Sequence, residues 1–106
     1  MKMLDETIIN QAYSTLNDTR QKLFDAHNRL IETQRLLTKK KTELIASGVI
    51  DGSNEETRKA QIASMAEMET DAVFNAETKL DTAQLMNEFA NYEVNRINTL
   101  IKWLSI

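Results

Sequence analysis

The sequence predicts an all-α chain: a long antiparallel two-helix coiled-coil hairpin that assembles into a four-helix or larger helical oligomer. Three observations carry this. The 106 residues hold no proline and two glycines, Gly48 and Gly52, so helix breakers are nearly absent. An unbroken seven-residue ladder runs through Ile9, Leu16, Leu23, Leu30, Leu37 and Leu44. Stop, turn and start signals crowd between Ala46 and Glu56. The length fits one helical-hairpin domain over residues 1–106. A helix is expected at about 3–47, a loop at 48–53 and a second helix at about 54–104.

In the first helix the ladder forms column a. Column d is Ala12, Thr19, Ala26, Thr33 and Lys40, small or weakly polar until the lysine. Leucine against small residues lets helices approach closely. It lacks the full apolar a/d pair of a strong parallel zipper, so antiparallel packing fits better.

The loop signals are specific. Gly48 suits the left-handed residue that ends a helix, with Val49 and Leu44 as the apolar contact of a Schellman motif. Asp51-Gly52 reads as a turn. Ser53 followed by Glu56 reads as a capping box, with Ser53 as N-cap. Glu55 and Glu56 place negative charge in a first helical turn, where free amides favour it.

The second helix has the columns Ala66, Val73, Leu80, Asn87, Val94, Ile101 and Ala76, Ala83, Ala90, Ile97, Leu104. Asn87 interrupts the large-residue column. It either lies inside, costing stability and fixing register, or sits at the seam's edge. Before Val73 the stripe is irregular, carried by Ala60, Ile62, Ala63, Met65 and Met68.

At 1.5 Å per residue these helices would be about 65 and 75 Å long, too thin a hairpin to enclose a core. Apolar residues are left over. The second helix has Leu85, Phe89, Tyr92, Leu100 and Trp103, with Ile106 beyond; the first has Leu4, Ile8, Tyr13 and Phe24, with Ile31 further on. Antiparallel pairing brings the start of one helix beside the end of the other. The expected interface is therefore Leu4, Ile8, Tyr13, Phe24, Leu85, Phe89, Tyr92, Leu100 and Trp103, with a second copy of the chain as partner. The alternative is that the apolar segment 99–104 folds back over its own chain.

Charge and residue types narrow the function. Net charge is -3. Residues 1–47 carry eight basic and six acidic groups; residues 48–106 carry five and ten. The opposite balances favour packing the halves together, weakly. The basic excess of a general nucleic-acid binder is missing. No apolar run reaches the ~20 residues of a membrane span, and the N-terminus lacks a signal-peptide core, so a cytoplasmic protein is expected.

Cysteine is absent and His27 is the single histidine. Thiol chemistry is excluded, and one chain cannot build a multi-histidine metal site. Glu67, Glu69, Asp71, Glu77 and Asp81 read as a solvated face, because the Glu-x-x-His of helical di-metal sites is missing. Gly48 to Gly52 lacks the Gly-Lys-Ser/Thr of a phosphate loop. A non-enzymatic protein-interaction module without metal or cofactor is expected. A second reading is a phosphate or nucleic-acid binding accessory protein using Arg35, Lys39, Lys40, Lys41, Arg58 and Lys59 at the hairpin tip. No aromatic residue interleaves with them for base stacking. A third reading is a structural spacer.

The string Gly48-Val49-Ile50-Asp51-Gly52, then Asn54, then Arg58-Lys59-Ala60-Gln61, resembles short all-helical accessory proteins of phages and prophages. The resemblance covers residues 44–62 in detail and the rest as coiled coil. It implies a small protein that binds a host or phage component, for instance to inhibit a defence nuclease or to assist a DNA-processing complex. Trp-x-Gly hairpin effectors share the length and layout, but the loop here has no tryptophan; the single one is Trp103.

Overall fold

A computed structural model describes residues 5–105. Its elements are all helical: α1 (Glu6–Ala46), α2 (Glu55–Met65) and α3 (Glu67–Leu104). Leu4 and Ile106, both part of the expected apolar surplus, lie outside the described residues. The chain divides into two compact units: Met1–Ala26 with Leu80–Ile106, and His27–Lys79.

In the first unit the opening half of α1 packs antiparallel on the closing half of α3. Leu16, Ala90 and Val94 form the core, with Ala12 packed against it. Ile97 is the largest side chain with no exposure at all. Two cross-helix polar contacts set the direction: Tyr13 donates its hydroxyl to Asn98 Oδ1 at 3.2 Å, and Thr19 Oγ1 lies 3.2 Å from Asn87 Oδ1. Asp5 opens α1 by accepting from the Ile8 amide at 2.9 Å.

Thr19 and Asn87 settle the interruption in the apolar column. Asn87 is half-buried in the seam, beside a buried threonine. The Thr19 hydroxyl also lies 3.0 Å from the Leu16 carbonyl. One hydroxyl hydrogen cannot serve both acceptors fully. Turning the Asn87 amide so that its NH2 faces Thr19 satisfies all three groups at once. Thr19→Val removes that partner and leaves the Asn87 amide short of a hydrogen bond. It should cost about 1–3 kcal/mol in denaturant unfolding, whereas Thr19→Val with Asn87→Leu should be close to neutral.

The second unit is a helical hairpin. Its buried residues are Thr33, Ala66 and Ala76, flanked by half-buried Leu30, Leu37, Leu44, Ile62 and Val73. Thr33 tolerates burial because its hydroxyl donates to the Leu30 carbonyl at 2.9 Å. The left-handed glycine expected at the end of α1 is present: Gly48 has φ +77°, and its amide donates to the Ile45 carbonyl at 3.3 Å.

The N-cap of α2 is Asn54, which corrects the expected Ser53; its side chain accepts from the Thr57 amide at 2.8 Å. The second helical stretch, whose continuity the sequence leaves open, breaks at Ala66, with φ -110° and ψ 24°. The Ala66 carbonyl there takes both the Thr70 amide at 3.0 Å and the Thr70 hydroxyl at 2.9 Å. Ile101 and Leu104 are exposed rather than in the seam, because the antiparallel register places them opposite the very start of α1.

Gln61 fastens the loop. Its Oε1 accepts from the amides of Asp51 at 3.2 Å and Gly52 at 2.9 Å, while its Nε2 donates to Asp51 Oδ1 at 2.6 Å. Arg58 adds a bond to the Gly52 carbonyl at 3.3 Å. A Cβ on Gly52 would sit 2.8 Å from Thr57 Cγ2 and 2.9 Å from the Arg58 backbone nitrogen. On Gly48 a Cβ meets nothing within 4 Å and only the positive φ opposes it. Gly48→Ala should therefore cost about 1–2 kcal/mol for the left-handed backbone. Gly52→Ala should cost more, since helix backbone must shift; paired thermal melts of the two variants check the order.

Candidate interaction face

Heptad positions decide which side chains the seam leaves outside. Along α1 the positions from Ile9 to Leu44 in columns a and d are all buried or half-buried. Ile8 and Tyr13 each stand one residue outside those columns, on opposite edges of the seam. Ile8 borders a shallow groove with Gln11, Ala12, Thr15, Ala90 and Glu93. Tyr13 borders the other edge, at Asn98. Phe24 is exposed, one residue past Leu23. The apolar surplus of α1 thus divides between two sides of the helix.

The surplus of α3 does not divide. Leu85, Phe89, Tyr92 and Trp103 are 50, 62, 69 and 73% exposed. With Arg96 and Thr99, both exposed, they occupy 85, 89, 92, 96, 99 and 103. That spacing of four, three, four, three and four is a complete heptad seam. It lies on the side of α3 opposite Ala90, Val94 and Ile97. Leu100 is half-buried at its edge and shares a shallow groove with Tyr92, Asn95, Arg96 and Thr99. Sequence reading found the apolar members of this line and missed Arg96 and Thr99, because it sought apolar residues rather than a second 4-3 repeat.

Arg96 is held in place. It donates to both carboxylate oxygens of Glu93, Nη2 to Oε1 at 2.7 Å and Nε to Oε2 at 3.1 Å. The Arg96 hydrogen bond holds the Glu93 carboxyl below its ordinary pKa, and Glu93 raises that of the guanidinium. A depressed carboxylate contributes to stability above its unfolded pKa and loses that contribution as pH falls through the folded value. Arg96→Ala should move the Glu93 titration, followed by NMR of its carboxyl carbon, up toward the ordinary glutamate range. The Glu32–Arg35 fork, at 2.6 and 3.1 Å, repeats the geometry and the direction of shift.

The basic residues expected at the hairpin tip are already engaged in part. Arg35 forks onto Glu32, Lys59 pairs with Glu55 at 3.2 Å, and Arg58 caps the loop. Lys39 and Lys40 line a shallow hollow with Leu36, Glu43 and Glu69, so two carboxylates face them there. The lysine run also lies too early in α1 to act on its last carbonyls, and no basic residue falls in the helix's last turn. His27 is exposed.

Among the described residues, no group of three or more His, Cys, Asp or Glu could hold a metal ion. No described helix is long and apolar enough to cross a membrane. No protein-family model, curated protein or solved structure matches the chain.

Proposed function

We propose that the chain is a non-enzymatic protein-interaction module that self-associates and works by binding. The observation that carries this is the outer face of α3, where Leu85, Phe89, Tyr92 and Trp103 are each at least half exposed along one line. Exposed aromatic side chains aligned on one helix face support an interface, because aromatic residues supply much of the energy at such sites. Binding to a phage or host component, as the loop resemblance implies, is the cellular role consistent with it.

Trp103 is a built-in reporter, being the single tryptophan. Its fluorescence should shift to shorter wavelength and resist acrylamide quenching as protein concentration rises tenfold. Emission that stays red and fully quenchable at every concentration would contradict self-association through this face.

A further inference from the structure

Accepting that self-association, we propose that the partner is a second copy paired antiparallel along the outer seam of α3, with the two-fold axis crossing that seam midway between Tyr92 and Arg96. The argument is charge and size complementarity of the seam with itself. In a parallel pair each residue meets its own copy, and Arg96 would face Arg96. In the antiparallel pair centred here, the layers are Leu85 on the partner's Trp103, Phe89 on the partner's Thr99, and Tyr92 on the partner's Arg96. Large meets large at the ends. At the centre a guanidinium whose edge is engaged by Glu93 offers its flat face to a tyrosine ring, a favourable stacking geometry.

The flanking positions agree with this register. Antiparallel coiled coils place like flanks together, so one edge sets Glu88 beside the partner's Lys102, twice by symmetry. The same edge sets Asn95 beside the partner's Asn95. The other edge sets Met86 beside the partner's Leu100. It also brings Glu93 near the partner's Glu93, and each of these carboxylates is forked by its own Arg96. Glu88, Asn95 and Lys102 are exposed in the single chain and Met86 is more than half so. One axis therefore satisfies three core layers, two ion pairs and an apolar edge contact. All of it falls within the single unit that holds Leu80–Ile106.

Two measurements on the full chain test the geometry. The first uses the absence of cysteine. Asn95→Cys should be joined into a covalent dimer by a short bis-maleimide. Asp81→Cys, on the same column, should not, because its two copies would stand about 40 Å apart at 1.5 Å per residue. The second is a charge exchange. Glu88→Lys and Lys102→Glu should each weaken the dimer by about fivefold, and the double exchange should restore it to within about twofold.

If the chain is monomeric at every concentration, the self-association reading itself fails. If it associates, yet Asn95→Cys does not cross-link and the double exchange does not rescue, only the antiparallel α3 pairing is overturned.

Discussion

Ile97→Ala is expected to lower the free energy of unfolding by about 2–5 kcal/mol, a large effect for a single truncation. Ile97 has no exposed surface, and it sits in α3 just beyond the Val94 and Ala90 that close on Leu16. Truncating it removes three methyl or methylene groups and leaves a void that two rigid helices cannot collapse into. Ile101, one turn further along α3, provides the comparison, because it is already exposed. Ile101→Ala should cost less than about 1 kcal/mol. Should Ile97→Ala fail to fold, Ile97→Val keeps the test alive with an expected loss of about 0.5–1.5 kcal/mol. Equal losses at the two positions, read from urea titrations, would contradict the placement of the core.

Phe89→Ala with Trp103→Ala should do the opposite: leave the folded single chain intact and strongly weaken association. Both rings are mostly solvent-exposed in the single chain, so their removal should leave helix content unchanged and the dissociated chain within about 0.5 kcal/mol of its parent. In the proposed assembly each ring fills a core layer. Central aromatic residues commonly contribute 2 kcal/mol or more to binding, so the dissociation constant should rise by about thirtyfold or more. A double variant that keeps the parent's mass in solution would show that this face is not an interface. Together, the two sets of substitutions separate the inner seam, which makes the fold, from the outer seam, which is proposed to make the contact.

Much of this was legible in the residues because the signals are local or periodic. The ladder from Ile9 to Leu44 marks the buried side of α1 directly, since a helix with that repeat has one way to face a partner. Gly48 is legible for a stereochemical reason: an L side chain at φ +77° is strained, so the residue that ends α1 advertises itself. The choice between Ser53 and Asn54 is less so. Both residues can cap, and their sequence context does not separate them; in the structure the Asn54 side chain takes the Thr57 amide.

The break at Ala66 has no sequence marker of the usual kind. Neither glycine nor proline is nearby, and the hydrogen-bond ladder continues across it. The Thr70 hydroxyl bond to the Ala66 carbonyl does not mark it either, because Thr42, Thr78 and Thr99 make the same i-4 bond inside continuous helices. Of the proposed interface, the aromatic members were legible from their type and their clustering in α3. Arg96, Glu88 and Lys102 were not, because a charged residue on a helix exterior is ordinary until the line it belongs to is seen. The division of Ile8 and Tyr13 between the two edges of the seam followed only once column a was known to be buried.

The most direct measurement is solution mass by light scattering behind a sizing column, over a tenfold range of concentration. The outer seam of α3 predicts a dimer or larger species, with the double Phe89 and Trp103 variant reduced to the mass of a single 12.2 kDa chain. A parent chain that runs as a monomer throughout that range would contradict self-association.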